Sequence, residues 1–492
     1  MTDLADLTIA HATAGLRAGE FTAIDLLDAV ERRAAVTEAQ LHAYLTLDRE
    51  GARSAARAAD KAITSGDPRP LLGIPIAVKD NMVTKGVETT AGSQILSGWT
   101  PPYSGTAVLR LEEAGAVIVG KTNLDEFAMG SSTENSAYGP TRNPWNTDTV
   151  PGGSSGGSAA VVAVGSALGA FGSDTGGSIR QPASLTGTVG AKPTYGLVSR
   201  YGLIAFASSL DQIGPIARTV PDAATLLEAV AGWDPLDATS YHGDVPAISR
   251  SLETGVAGIR VGVVTELTGE GIEPEVLAAP RATVDRLADA GAEIVELSLP
   301  AIEYALSAYY LIAPAECSAN LARFDGVRYG LRVDGSTTEE MMARTRAEGF
   351  GPEVTRRILL GTYALSAGYY DAFYGQAQRV RTLLRRDFAG AYEQVDVLVS
   401  PTSPTTAFEI GSKTTDPLTM YLADICTIAT NLAGDPGISV PVGLDAEGLP
   451  VGFQIMAPAL GEEVMFRVAA EVERLAGFTA RPKLATSKVV AP

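Results

Sequence analysis

Cysteine and histidine are scarce in this sequence. Its 492 residues include two cysteines and three histidines. Cys317 and Cys426 lie far apart, with no CxxC pair and no neighbouring histidine, so the sequence indicates neither a disulfide framework nor a zinc site. We expect both thiols to be small buried side chains, and we expect no metal or other cofactor in this chain.

Basic residues are outnumbered as well. The chain has 38 lysines and arginines against 57 aspartates and glutamates, a formal net charge of -19. Because clustered basic residues drive binding to a phosphate backbone, we expect any nucleic acid to be held by a partner. The opening MTDLADLTIA contains two aspartates and no basic residue, unlike a secretory signal, and we therefore expect a cytoplasmic protein.

The sequence also lacks a long apolar run suited to a membrane-spanning helix. The one long uncharged stretch, residues 151–173, contains seven glycines and five serines among its 23 residues. Such a composition is poorly suited to a membrane-spanning helix.

Helical patterns instead alternate with short apolar strands along most of the chain. Residues 1–66 have a helical pattern, with Thr22 as a helix N-cap. Predicted strands lie within residues 73–80, 116–121, 259–267, 292–300, 395–401 and 450–458. This alternation predicts a layered α/β core around a largely buried sheet.

The same pattern suggests the domain organisation. We expect residues 1–66 to form a helical lead-in and residues 67–480 to form a single domain. Within that domain, residues 301–392 form a mostly helical excursion packed on the core. Residues 481–492 form a tail that we expect to fray.

One segment matches the sequence pattern of a phosphate-binding loop but has the composition of a strand. Residues 115–122, GAVIVGKT, satisfy the phosphate-loop expression GxxxxGK[ST]. A phosphate loop must be flexible, whereas Ala, Val, Ile and Val between the two glycines favour a strand. We therefore predict a strand here and no ATP site.

Serine chemistry is the alternative, and the histidine count restricts it. His11, His42 and His242 all lie outside glycine-rich segments, and no GxSxG motif occurs. The sequence therefore disfavours a Ser-His-Asp hydrolase, and a nucleophilic serine would need another base.

Two glycine-serine clusters, residues 151–158 and 174–178, could supply such chemistry. Glycines before Ser178 let successive amides converge on a developing oxyanion, although a simple turn or an anion-binding helix start has the same composition. Lys79 ends an apolar strand, where burial could lower its pKa enough for it to act as a base. Pairing with Asp80 or extension towards solvent is equally compatible with its position.

Together, these segments resemble the amidase signature family. Lys79 precedes Ser154 by 75 residues, and Ser154 precedes Ser178 by 24. The matching segments are GIPIAVKDN, PGGSSGGSAA and GSDTGGSIRQPAS.

The resemblance implies a large mixed β-sheet covered on both faces by helices, with a helical N-terminal segment. It also implies a Ser-Ser-Lys triad, in which Ser178 is the nucleophile, Ser154 follows a cis peptide bond and relays the proton, and Lys79 is the base. By the same match, the oxyanion hole is formed by the amides of Thr175, Gly176, Gly177 and Ser178.

Four further segments, 123–146, 318–330, 356–374 and 422–441, resemble the branch of this family that supplies ammonia in tRNA-dependent amidotransferases. That resemblance implies glutamine as substrate, with Arg357 and Asp424 holding its α-carboxylate and α-ammonium, and Tyr309 and Met129 lining the pocket. Surface charges in local pairs are the plainer interpretation of Arg357 and Asp424.

The resemblance also implies partners. A B subunit would hold the tRNA and use ATP and Mg²⁺ to amidate Glu-tRNA(Gln), Asp-tRNA(Asn) or both, and a small C subunit would complete a heterotrimer. The alternatives are a stand-alone amidase of the same family acting on another carboxamide, and a non-catalytic scaffold whose glycine loops bind anions.

Overall fold

One mixed sheet organises the protein. The structure is a computed structural model that describes residues 3–269 and 271–486, and within them eleven strands form this sheet. The strands are β1 Tyr44–Leu47, β2 Pro75–Lys79, β3 Val117–Thr122, β4 Gly169–Asp174, β5 Val189–Lys192, β6 Gln212–Ala217, β7 Arg260–Val264, β8 Glu293–Leu297, β9 Val397–Pro401, β10 Gly437–Leu444 and β11 Pro450–Met456. Their order in the sheet is β1-β3-β2-β4-β6-β5-β10-β11-β9-β7-β8.

Helices surround the sheet. The described α-helices are α1 Ile9–Ala18, α2 Ala23–Leu41, α3 Arg49–Thr64, α4 Thr106–Glu113, α5 Gly156–Val164, α6 Arg180–Thr186, α7 Val220–Val230, α8 Pro274–Asp289, α9 Ala305–Asn320, α10 Thr338–Gly349, α11 Pro352–Ala364, α12 Gln376–Tyr392, α13 Pro417–Tyr421, α14 Ile428–Ala433 and α15 Glu462–Ala476. Short 3₁₀ turns include Leu422–Asp424.

Both faces of the sheet are buried. Along β9, Val397 and Val399 belong to a core cluster that includes residues of α2, α5, α7 and α15, whereas Leu398 belongs to a second cluster with α9, α12 and α14. Successive strand residues point to opposite faces, so helices cover the sheet on both sides. The predicted α/β class, with a large mixed sheet between helices, is confirmed.

The structure confirms a predicted helix cap and a predicted strand and differs from the prediction at β1. Thr22 caps α2, and its side chain and that of Asp25 form a reciprocal capping box, which confirms the predicted N-cap. Residues 117–122 are strand β3, which confirms the strand prediction for the phosphate-loop match. The helical expectation for residues 1–66 is wrong at β1, which pairs antiparallel with β3.

The remaining predictions concern the helical excursion, the C-terminal tail and the long uncharged stretch. Residues 301–392 contain α9 to α12, while the predicted tail, 481–492, includes residues 487–492, which lie outside the described residues. Residues 156–164 of the uncharged stretch form the buried helix α5. In the described part of the chain, no helix combines the length and apolarity needed to cross a membrane.

The order of the strands positions the candidate site. β2 and β4 are parallel neighbours, so their carboxyl ends, carrying Lys79 and Asp174, lie at the same edge of the sheet. α5 begins directly after the Ser154-Ser155 pair, and α6 begins directly after Ser178 and Ile179. Three motifs that are distant in sequence therefore meet at one edge.

Candidate active site

Lys79 is buried among serine hydroxyls. Its Nζ lies 2.7 Å from Ser154 Oγ, 2.8 Å from Ser155 Oγ and 3.0 Å from Ser173 Oγ. Asn81 Nδ2 also donates to Ser173 Oγ, at 2.9 Å. The Lys79 side chain is fully buried, so its amine is held by protein groups.

Burial makes Lys79 a base near neutral pH. Desolvation lowers the pKa of its amine to about 7, although the nearby carboxylates of Asp125, Asp174 and Asp211 oppose this shift. A neutral amine has two N–H donors and one lone pair. The oxygens of Ser155 and Ser173 can accept the two N–H donors, and the Ser155 hydroxyl proton is itself donated to the Ser173 carbonyl oxygen. The Ser154 hydroxyl is then available to donate its proton to the lone pair of Lys79.

Ser154 is held by its backbone. The Gly153–Ser154 peptide bond is cis, and the carbonyl oxygen of Ser154 accepts a hydrogen bond from the Asp125 N–H at 3.3 Å. The next amide, that of Ser155, donates to the Ser178 carbonyl oxygen at 3.2 Å. These backbone contacts join the two serine motifs next to Lys79.

The turn before Ser178 requires two glycines. Gly177 has a φ of +143°, and a Cβ there would lie 2.1 Å from Thr427 Oγ1. A Cβ on Gly176 would lie 2.8 Å from the Tyr309 ring. Ser178 therefore stands on a turn that larger residues would disrupt, and its side chain, unlike that of Ser154, retains a small exposed fraction.

Asp174 anchors this turn. Its carboxylate accepts hydrogen bonds from the amides of Gly177 (2.8 Å) and Ile179 (3.2 Å) and forms a two-point contact with Arg180. Burial alone would raise the pKa of Asp174, but the Arg180 charge and hydrogen bonds lower it to about 2. The anchor is therefore anionic throughout the physiological range.

The contacts of Asp174 reduce the number of amides available for the predicted oxyanion hole. The Gly177 amide already donates to Asp174 at 2.8 Å, whereas the amides of Thr175, Gly176 and Ser178 have no acceptor among the described residues. The Thr175 hydroxyl donates to Asp211 Oδ1 at 2.7 Å, which leaves the Thr175 amide free. The role of all four residues in an oxyanion hole remains a prediction.

Arg357 lies on α11 inside an aromatic cage. Its guanidinium is 5.2 to 5.6 Å from the ring centroids of Tyr310, Tyr421 and Phe206. Its Nε donates to Glu353 Oε1 at 2.7 Å, while no described residue accepts from its Nη1 or Nη2. The plainer interpretation is therefore half right: Arg357 is buried and not on the surface, but it does form a local ion pair with Glu353. Two nitrogens of its fork remain free for a carboxylate.

Asp424 lies in a 3₁₀ turn and has one oxygen without a partner. Its Oδ2 accepts a hydrogen bond from the Ser131 hydroxyl, whereas its Oδ1 is buried and bonds to none of the described residues. Burial raises the pKa of this carboxyl to about 7, a shift that the Ser131 hydrogen bond and the Arg357 charge oppose. A buried oxygen without a donor is suited to an ammonium ligand.

Contacts bring the remaining predicted residues to the same place. The Tyr309 ring lies against Gly176, whose carbonyl oxygen accepts from the Thr427 hydroxyl at 2.6 Å, three residues beyond Asp424. Met129 is buried two residues before Ser131, with its sulfur 3.8 Å from the sulfur of Cys317. The structure therefore places all the predicted site residues around one edge of the sheet.

Several residues at the site were not predicted from the sequence. The sequence carried a signal for some of them, because Ser155 belongs to the matched segment PGGSSGGSAA, Ser173 belongs to GSDTGGSIRQPAS, and Glu353 lies one helical turn before Arg357. Ser131 belongs to the 123–146 segment. Asn81 follows Lys79 by two residues, but nothing in the sequence indicates that it contacts Ser173.

The cysteines lie outside this chemistry. Cys317 and Cys426 are free and buried, as expected, and burial raises the pKa of each thiol to about 12. The described part of the chain contains no group of three or more His, Cys, Asp or Glu side chains arranged to hold a metal ion.

Comparison with known proteins agrees with this geometry. The model of the family described as Amidase matches residues 25–466. The A subunit of the glutamyl-tRNA(Gln) amidotransferase from Salinispora arenicola (strain CNS-205) is 58% identical, over 98% of this chain and 100% of the relative. The protein of the same name from Roseiflexus sp. (strain RS-1) is 57% identical, over 98% of this chain and 99% of its own length.

Solved structures show the same fold. The crystal structure of the glutamyl-tRNA(Gln) amidotransferase A subunit from Thermotoga maritima is 42% identical with a TM-score of 0.80, covering 96% of each chain. The peptide amidase from Stenotrophomonas maltophilia is 32% identical with a TM-score of 0.82, covering 97% of this chain and 98% of that one.

Proposed function

The chain belongs to the amidase family, and from that premise we propose that it hydrolyses glutamine as the A subunit of a glutamyl-tRNA(Gln) amidotransferase. The identity of 57 to 58% to proteins of that name, over 98% of this chain, supports the assignment. The observation that carries the choice of substrate is a pair of buried charged side chains, Arg357 and Asp424, that each keep polar atoms without a partner among the described residues. The free fork of Arg357 matches an α-carboxylate, and the free oxygen of Asp424 matches an α-ammonium.

In the proposed mechanism, Ser178 Oγ attacks the side-chain amide carbon of glutamine. The Ser178 proton passes to Ser154 as the Ser154 proton passes to neutral Lys79, while the free amides of Thr175, Gly176 and Ser178 hold the oxyanion. The proton then returns through Ser154 to the leaving nitrogen, and ammonia departs. Water, activated by the same relay, hydrolyses the acyl-enzyme to glutamate and restores Ser178.

The ammonia is used elsewhere in the proposed assembly. We place the tRNA, ATP and Mg²⁺ in a B subunit, which amidates Glu-tRNA(Gln), Asp-tRNA(Asn) or both, and we include a C subunit in a cytoplasmic heterotrimer. The net charge of -19 supports this division because an acidic chain is unsuited to holding tRNA alone.

The first test is ammonia release from L-glutamine by the purified chain, alone and with candidate B and C subunits, charged tRNA and ATP. We expect weak release alone and stronger release in the assembly. Ser178→Ala should abolish it, because only the nucleophilic hydroxyl is lost. Full activity on other carboxamides that does not change when the partner subunits are added would identify a stand-alone amidase. Normal turnover by Ser178→Ala would reject the mechanism.

A further inference from the structure

Asp125 is a buried carboxylate that the proposed mechanism does not use. Its side chain is fully buried, and its own N–H donates to the carbonyl oxygen of the relay serine, Ser154. Its Oδ1 accepts from the Asn135 amide at 3.1 Å, and its Oδ2 accepts from the amides of Ser132 (3.3 Å) and Thr133 (2.8 Å). One carboxylate therefore binds three amides of the following loop, residues 127–135.

The 127–135 loop has an unusual backbone. Phe127, Ala128 and Thr133 have φ angles of 50°, 62° and 62°, in the left-handed region that residues other than glycine seldom adopt. Such a conformation persists only where the surroundings hold it. The three hydrogen bonds to Asp125 are among the contacts that hold this loop, and they are the ones that a single side chain provides.

The loop contacts the site at two points. The Ser131 hydroxyl donates to Asp424 Oδ2, next to the oxygen that we assign to the substrate ammonium. The Thr133 hydroxyl donates to the Gly152 carbonyl oxygen at 2.8 Å and accepts from the Gly156 amide at 3.1 Å. These last two residues lie on either side of Ser154, so one loop contacts both the ammonium subsite and the relay segment.

The surrounding chain leaves room for this carboxylate. A Cβ on Gly153 would lie 2.1 Å from Asp125 Oδ2, and a Cβ on Gly130 would lie 2.4 Å from its Cγ. Glycine at both positions lets the backbone on each side approach the carboxylate closely. The close packing of the Asp125 carboxylate against the backbone therefore depends on the absence of a side chain at Gly130 and at Gly153.

We infer that Asp125 is a positioning residue that holds the glutamine ammonium subsite and the relay serine in register through the 127–135 loop. The inference rests on the proposed function, because it assigns Asp424 to the substrate ammonium. Asp125 itself touches neither the substrate nor the transferred proton. It acts through Ser131 on binding and through the Thr133 and Ser154 backbone contacts on the chemical step.

The test compares variants for glutamine hydrolysis in the complete assembly. Asp125→Asn keeps the size of the side chain but replaces one acceptor oxygen with an NH₂ group. We expect kcat to fall and KM to rise, each by about tenfold or more, since small displacements of reacting groups have effects of this size. Ser131→Ala, which removes only the contact to Asp424, should raise KM and leave kcat within about twofold of the native value.

Two further variants separate positioning from stability. Asp222→Asn alters another buried aspartate that accepts two backbone amides, those of Ile9 and Ala10, away from the site, and should leave kcat and KM unchanged. Gly130→Ala should reproduce the double effect of Asp125→Asn by displacing the carboxylate, and it replaces Asp125→Asn if that variant fails to fold.

The outcomes distinguish the two proposals. A native assembly that releases no ammonia from glutamine would reject the proposed function. An active native assembly in which Asp125→Asn and Gly130→Ala leave kcat unchanged, or in which Asp222→Asn produces the same change in kcat and KM, would overturn the inference about Asp125.

Discussion

Lys79 and Asp424 are two residues whose protonation controls different steps. Lys79, with a pKa lowered to about 7, has a lone pair only above that pH. Asp424, with a pKa raised to about 7, carries the negative charge for an ammonium only above the same pH. Both groups therefore make glutamine hydrolysis weaken as the pH falls, one through the chemical step and one through binding.

We predict that kcat declines as the pH falls through about 7 because Lys79 becomes protonated, and that KM rises over the same range because Asp424 is neutralised. Measuring kcat and KM separately from about pH 5 to 9 tests this. Asp424→Asn should remove the acid-side rise in KM but keep the decline in kcat. If kcat kept rising from about pH 7 to 9 without levelling off, the base would not have the lowered pKa that the structure gives Lys79.

Arg357→Lys tests the carboxylate fork. A lysine keeps the charge but loses the two-nitrogen contact, so KM for glutamine should rise by about tenfold to a hundredfold, the value of a charge-assisted hydrogen bond. Arg356→Lys is the matched control, because the neighbouring Arg356 side chain is 43% exposed and should leave KM unchanged. Equal KM values for the two variants would remove Arg357 from the pocket.

At the scale of elements, the site depends on how strands and helices end. β2 and β4 end at the same edge of the sheet, and α5 and α6 begin next to Ser154 and Ser178 at that edge. These turns are rich in glycine because neighbouring side chains and backbone approach them closely. Glycine-serine motifs next to strand and helix ends could be recognised in the sequence for this reason.

Gly177→Ala tests the turn that carries the nucleophile. The added Cβ would clash with Thr427, and the alanine would have to adopt the φ of +143° that Gly177 has. We therefore expect kcat to fall by about a hundredfold, because Ser178 is displaced. Gly390→Ala, within α12, is the control because no atom lies within 4 Å of its added Cβ. Native kcat in Gly177→Ala would show that the turn tolerates a side chain.

At the scale of the whole molecule, the sheet joins two core clusters. Leu398 of β9 packs into the cluster with α9 and α12, whereas Val397 and Val399 of the same strand pack into the other. The mostly helical excursion is therefore packed on the same sheet as the rest of the chain. This arrangement supports the prediction that residues 67–480 form one domain, which unfolding experiments can test.

We expect Leu398→Ala to lower the free energy of unfolding by about 2 to 5 kcal/mol, because a buried leucine leaves a cavity. Urea unfolding followed by circular dichroism and tryptophan fluorescence should show one shared transition at a lower urea concentration. Leu418→Ala, at a side chain that is 70% exposed, should change stability by less than about 0.5 kcal/mol. Two separate transitions would contradict a single domain.

The sequence by itself determined the α/β class, the strand that ends at Lys79, the strand in place of a phosphate loop, and membership of the family. These features follow from local patterns, since apolar runs, caps and glycine-rich motifs specify the conformation of nearby residues. Strand β1 escaped prediction because its four residues lie between two long helices, and pairing with β3 determines its conformation.

Only the tertiary structure decided which side chains surround each predicted residue. Asp424 meets Ser131, which is 293 positions away in the chain, and Thr427 meets Gly176 across 251 positions. It also showed that the Gly177 amide is already occupied and that Arg357 is buried in an aromatic cage. Such contacts depend on the packing of the whole chain around the sheet, and a local pattern carries no information about partners so distant in sequence.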